Sequence, residues 1–153
     1  MFAVVRLRGS SRTRPDIKDT LRMLRLTRVN HCVIVQEDVH YKGMLQKVKD
    51  YVAWGIVNPE TMGVILRSRG ELAGGVRLTD EHLAKNTKFK SIDELAKAIC
   101  EGKASIKDIP GLKPVLRLHP PRKGIASSKR PVTDKGTLGF HGSNINILLD
   151  KMR

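Results

Sequence analysis

Aromatic side chains are scarce in this chain: three Phe, two Tyr and one Trp make up 4% of its 153 residues. Proteins that hold single strands of nucleic acid on a platform of stacked rings need more of them, so an RRM-like surface is not expected. Long apolar runs are missing too. A bilayer-spanning helix needs roughly 18 to 20 mostly apolar residues in succession. Arg6 and Arg8 interrupt the only apolar run near the start, which also breaks the layout of a signal peptide. Cysteine is limited to Cys32 and Cys100, both within apolar patterns and both expected to be reduced core residues of a cytosolic protein rather than a disulfide pair. The five histidines (His31, His40, His82, His119 and His141) are scattered, with no pair at i, i+4, and neither cysteine has a ligand-like neighbour. A zinc centre is therefore not expected, nor is any other cofactor. No glycine-rich phosphate loop ending in Gly-Lys-Ser or Gly-Lys-Thr occurs, which argues against a small-molecule nucleotide substrate. Acid is the last shortage, with 15 Asp and Glu against 29 Lys and Arg, a formal charge of +14. Self-repulsion of that size calls for a polyanionic partner, and with no membrane segment in view nucleic acid is the default.

What is present begins with Phe2 to Gln36, which reads as strand, basic loop, helix and strand. In the first strand Ala3, Val5 and Leu7 alternate with Arg6 and Arg8. Arg12 and Arg14 lie in the loop that follows. Pro15 suits the first turn of a helix, and Asp16 complements the positive end of its dipole. Ile17, Leu21 and Leu24 give that helix an apolar side, while Lys18, Arg22 and Arg25 form a basic stripe. His31 to Gln36 reads as a mostly buried strand. A second amphipathic helix is expected from about Tyr41 to Val52, with Leu45, Val48 and Val52 inward and Lys42, Lys47 and Lys49 outward. A third strand spans Ala53 to Val57. The order β-α-β-α-β makes a small α+β unit with both helices on one sheet face.

Asn58-Pro59-Glu60 starts a helix that Gly70 ends, Thr79 caps a short one, and Ser91 to Glu94 has capping-box spacing for a third. Leu112 to Leu118 should return as a strand, at an edge because of Pro114. From Arg117 to Gly142 six Lys or Arg face one acid, and the prolines and glycines there predict neither a long helix nor a regular sheet. Ile145, Leu148, Leu149 and Met152 then recur at helical spacing, so a terminal helix starting near Ser143 should dock on the core. The organisation expected is thus 1–58 as a nucleic-acid-binding core, 59–111 as a helical extension packed on it, and 112–153 as a strand, a basic loop threading along the polyanion, and the terminal helix. Net charges of +5 for residues 1–60, +2 for 61–110 and +7 for 111–153 concentrate binding at the two ends.

Several stretches match a known family in order and over nearly the whole length: Val5-Arg-Leu-Arg-Gly9, Asp19-Thr-Leu-Arg-Met-Leu24, Val29-Asn-His-Cys32, Lys42-Gly-Met44 and Tyr51-Val-Ala-Trp-Gly55. Leu116-Arg-Leu-His-Pro-Pro-Arg-Lys-Gly124 and Leu148-Leu-Asp-Lys-Met152 complete the set. Together they resemble the universal L-thirty family of large-subunit ribosomal proteins, in the archaeal form related to eukaryotic L-seven. The resemblance implies a three-stranded antiparallel sheet in order 3-1-2 with two helices on one face, followed by an archaeal-type extension. It implies a structural role in the large subunit, without enzymatic activity, with ribosomal RNA and neighbouring ribosomal proteins as partners. Pro120 to Gly124 matches a stretch expected to run along ribosomal RNA.

The candidate RNA-binding residues are Arg6, Arg8, Arg12, Arg14, Lys18, Arg22, Arg25 and Lys42 from the core, and Arg117, His119, Arg122, Lys123, Lys129, Arg130, Lys135 and His141 from the last segment. Recognition should be directed at phosphates and RNA shape. Phe140 and His141 are possible stacking partners for a base, with packing as the plainer role. Asp16 and Asp19, one turn apart, are the only residues that suggest a metal-dependent nuclease, and a dipole complement accounts for them. A DNA-compacting protein is the other alternative.

Overall fold

The protein is described here by a computed structural model covering residues 1–153. Its centre is β1 (Phe2–Arg6), in which every residue is buried, paired antiparallel with β2 (His31–Val35) on one side and β3 (Val52–Ile56) on the other. These three strands keep the expected relative order 3-1-2, but they are the middle of a six-stranded sheet and not a three-stranded one. The helices α1 (Pro15–Met23) and α2 (Val39–Lys47) close the two connections. They lie on one face, where Leu21, Leu24 and Leu45 pack on Phe2, Val4, Val33, Val52 and Trp54. The second helix is shorter than the periodicity predicts. It ends at Lys47, and Val52 belongs to β3 instead.

The opposite face carries the larger core. There α3 (Pro59–Arg69), α5 (Ile92–Cys100) and the terminal helix α6 (Ile145–Met152) bury Met62, Ile65, Leu95, Ile99, Ile145 and Leu149 against Ala3, Val5, Cys32 and Ala53. The short α4 (Asp80–Asn86) is capped by Thr79, and Ser91 caps α5 as its sequence predicts. The strand residues under these helices are small for a reason. A Cβ on Gly55 would run into the carbonyl of Gly142 and the side chain of Ile145, so glycine lets the start of α6 sit directly on β3. Gly55→Ala should therefore lower stability by about 1–3 kcal/mol through overpacking, read as a lower urea midpoint with an unchanged slope. Cys32 is fully buried, which pushes its thiol up to about 12, and both cysteines are free.

Two expectations about the last segment need correction. First, the strand before the basic loop is only β4 (Leu116–Arg117), an edge strand on β2; Leu112 instead bridges to Leu72. Second, the basic segment is not free of sheet. The strand β6 (Gly136–Phe140) adds in parallel to β3, and β5 (Ser127–Pro131) lies beside it, giving one six-stranded sheet in the order β4-β2-β1-β3-β6-β5. The reason is a free edge: β3 has unpaired backbone on its outer side, and a segment with too little periodicity to announce itself can still fill it. Gly139, at φ +100°, breaks the alternation, so Leu138 enters the larger core while Phe140 turns to the α1–α2 face.

Candidate nucleic-acid interface

The first cation of the chain is not on the surface. Arg6 is 3% exposed, and burial holds its pKa below the usual guanidinium value. It alternates outward from Ala3 and Val5 as the pattern requires, but that face is roofed by the turn after α1. Its Nε donates to the Arg8 carbonyl at 2.8 Å, and Nη1 donates to the carbonyls of Leu26 at 2.7 Å and Thr27 at 2.8 Å. Arg6 is thus a clamp between the end of β1 and the α1–β2 turn. Buried in this way, Arg6 is not one of the exposed cations of the patch. Arg8 is half-buried, with Nη1 donating to the Asp50 carbonyl at 3.2 Å and its guanidinium 5.2 Å from the Tyr51 ring centre. Arg14 is exposed but shares Asp16 at 3.4 Å. Asp16 also faces Lys47 at 3.9 Å, so a nuclease reading would place its metal ion beside two cations.

The stripe on α1 is present and open. Lys18 and Arg22 are exposed and, with Ser10, Thr27 and the inner end of Arg6, line a cleft of about 220 Å³. Arg12 and Arg25 project from turns in which each has a left-handed backbone, φ +54° and +60°. An L-residue there costs about 1–2 kcal/mol relative to the right-handed region. Lys123 and Lys135, at +60° and +57°, share this conformation, so four of the five non-glycine residues with positive φ are candidate ligands. Arg25 follows the C-cap of α1 and Lys135 caps a short 3-10 turn, so at these two the left-handed backbone also ends a helical segment.

Beyond α1 the surface continues through the candidates Arg117 and Arg122 together with residues the sequence pattern did not single out. β4 sets Arg117 opposite His31, with Arg28 close by, and these two charges join burial in holding the His31 pKa below its ordinary value. Arg117 also lies near Glu71, whose carboxylate accepts from Lys113 at 3.2 Å and is held below the usual range mainly by that bond. Arg77 is near the same carboxylate and donates to the Ser68 carbonyl. Arg69, lowered by burial, faces Arg77 and Arg122, and its buried Nε has no partner within the chain. A belt of cations therefore runs from Lys18 and Arg22 past Arg25, Arg28 and Arg117 to Arg77, Arg69 and Arg122. Lys18, Arg22, Arg25, Arg28, Arg117 and Arg122 take part in none of the chain's ion pairs. Arg28, Arg69 and Arg77 are the additions, with Lys113 beside them but paired to Glu71. Arg69 and Arg77 come from a segment of nearly balanced charge and are brought in by the bridges Glu71↔Arg77 and Leu72↔Leu112, whereas Arg28 sits in the aperiodic turn after α1.

Because His31 is held deprotonated in the fold, its effect on stability has a definite sign. The unfolded chain takes the proton first, so stability is full above the ordinary histidine pKa of about 6.5 and is lost as pH falls through the lowered folded value. His31→Gln should flatten that part of a stability–pH profile measured by urea unfolding.

Arg122 reaches the belt from the segment after β4, and the rest of the predicted set lies elsewhere. Exposed His119 and Arg122 are held by backbone bonds to the end of α6, His119 N to Met152 O and Arg122 N to Lys151 O, each 2.9 Å, and Lys123 follows on the turn. Lys129, Arg130 and Lys135 are exposed on or beside β5, at the sheet edge farthest from β4. Lys42, also exposed, pairs with Glu37 at 2.9 Å and stands 6.0 Å from the Phe2 ring centre. His141 is tied in place, its backbone N–H donating to Trp54 O and its Nε2 to Thr137 O, both at 2.8 Å. The candidates thus divide into the belt at the β4 end and a second basic group at the β5 end.

The family model described as ribosomal protein L30p/L7e matches residues 2–52, which is β1 through the start of β3. The chain is 56% identical to the large ribosomal subunit proteins uL30 of Methanocella arvoryzae and of Methanothrix thermoacetophila. It is 55% identical to that of Archaeoglobus fulgidus. Each comparison covers all of both chains.

Proposed function

The chain belongs to the L30p/L7e family of ribosomal proteins, and from that membership we infer that it is a structural constituent of the large ribosomal subunit, binding ribosomal RNA in the cytoplasm. It is not an enzyme. It associates with ribosomal RNA and with other proteins of the subunit.

At the level of residues, we propose that the belt from Lys18 to Arg122 is the principal RNA contact and that the β5 group is a second. The observation carrying this is the run of exposed, unpaired guanidiniums from α1 through the turn after it to β4. A cation already paired in the free protein gains little from a phosphate, whereas an unpaired one releases condensed counterions from the RNA. Residues 1–58 and 112–153 supply these contacts. Residues 59–111 support them from the opposite sheet face and add Arg69 and Arg77. Arg6 is left out of the contact set, and Arg8, Arg14 and Lys42 enter it only by exchanging partners. Crosslinking in native cells followed by sequencing of the attached RNA tests this reading. Crosslinks confined to a few large-subunit ribosomal RNA positions, through peptides bearing Arg22, Arg25, Arg28 or Arg117, are expected. A spread over unrelated transcripts or DNA would replace it with a general polyanion binder.

A further inference from the structure

Half of the few aromatic residues are gathered at one spot. Phe140 meets Phe2 edge-on with ring centres 6.2 Å apart and lies 6.2 Å from Trp54 at a tilt of 48°. Phe2 and Trp54 are buried, but Phe140 is 53% exposed and its neighbour Ile56 is 46% exposed. These side chains line a recess of about 340 Å³, where the sheet runs out from under α2, with Glu37 and Lys42 at the rim. That volume is at the small end of the roughly 300–1,000 Å³ of ligand pockets.

We propose that this recess receives an unpaired base of the bound RNA, stacked on Phe140, with the unpaired cations of the β5 segment taking the flanking phosphates. The proposal rests on the RNA-binding reading and gives the second basic group a specific task. Charge decides for a nucleotide over an apolar side chain of a protein neighbour. The lining itself holds one cation and one carboxylate, Lys42 and Glu37, paired at 2.9 Å, and the excess positive charge comes from Lys129, Arg130 and Lys135 on and beside β5, the strand next to β6. A nucleotide offers a flat apolar face and a negative phosphate together, which is what an apolar floor with cations on the adjoining strand complements. Glu37 adds an acceptor at the rim, since its free lone pairs can take an N–H from the edge of a stacked base. Phe140 reaches this position because Gly139 reverses the alternation of β6, and its backbone is fixed by the pairing of β6 with β3.

The chain's one tryptophan lies in the recess wall and reports occupancy directly. Titration of the intact protein with protein-free large-subunit ribosomal RNA should change Trp54 emission. Phe140→Ala should weaken binding by about ten- to a hundred-fold, the range of single base–aromatic stacks, and abolish the emission change at saturation. Phe140→Leu keeps the contact with Phe2 and Trp54 but removes the flat face. It should show the same loss, which separates stacking from support of the fold. Lys18→Gln with Arg22→Gln should weaken binding yet keep the emission change once saturated. RNA bound by Phe140→Leu with unaltered affinity, or with no Trp54 response in the unmodified protein, overturns the recess proposal and leaves the belt reading standing. An emission change in assembled subunits but not with protein-free RNA also overturns it and assigns the recess to a protein neighbour. Failure of RNA to bind at low salt overturns both.

Discussion

Arg6→Met is expected to lower the melting temperature by about 6–12 °C while leaving the salt dependence of RNA binding unchanged. Methionine fills much the same space along β1 but donates nothing, so the carbonyls of Arg8, Leu26 and Thr27 lose the guanidinium that joins them. Hydrogen bonds to a charged donor contribute about 1.5–3 kcal/mol each, and they are not additive when a single group makes them. The Leu26 bond is fully buried and the other two partly so, which sets a loss of about 3 kcal/mol as a fair total. For a chain of this length each kcal/mol moves the midpoint by about 2–4 °C. Arg6→Lys should fall nearly as far, because an ammonium on a flexible stem cannot span three carbonyls as a planar fork does. The competing view makes Arg6 a phosphate ligand like its neighbours. It requires the opposite pair of results: a midpoint within about 2 °C of the parent and a salt slope reduced by about one. Thermal unfolding without RNA and salt titration with it distinguish the two.

Arg6 also marks where the amino-acid sequence stops being sufficient. Alternation along β1 places Arg6 opposite Ala3 and Val5 correctly, but alternation says which face a side chain takes and not whether that face is covered. The cover over Arg6 comes from residues 24–30, a turn with no periodicity to read. Where the pattern is strong and local, sequence and structure agree: Pro15 and Pro59 open α1 and α3, Ser91 and Thr79 cap α5 and α4, and Ile145, Leu148, Leu149 and Met152 dock α6. Where the deciding interaction is distant, the sequence was silent. Strand β6 owes its existence to the open edge of β3, eighty residues earlier in the chain. The same holds for the candidate interface. The stripe Lys18, Arg22 and Arg25 follows from a 3.6-residue repeat, whereas Arg69 and Arg77 join it only through bridges formed after folding. The basic segment 117–142 has one composition but goes to two places, with Arg117 and Arg122 at the β4 end and Lys129, Arg130 and Lys135 at the β5 end.

That division makes the belt separable by mutation. Replacing Arg25, Arg28, Arg117 and Arg122 together by Gln should lower affinity for large-subunit ribosomal RNA by roughly a thousand-fold near 0.1 M salt. Each phosphate contact on a duplex adds about 0.9 to the slope of log affinity against log salt. Four contacts therefore carry between three and four decades of counterion release relative to 1 M. The slope itself should fall by about 3 to 4. None of the four donates to a carboxylate in the free protein, so the fold should tolerate the change. Removing Arg28 and Arg117 also removes two of the charges that hold the His31 pKa down, and its titration, followed by NMR, should move upward. This gives an internal check that the side chains were where the belt requires. Arg25→Gly alone should separate the two roles, because glycine relieves the left-handed backbone at φ +60° while discarding the charge. Stability should rise as affinity drops, which is the signature of strain kept for binding. A quadruple variant that melts normally, shows the upward His31 shift and still binds with an unchanged slope would move the contact surface to the β5 end. The belt would then be a solvated face of a very basic protein.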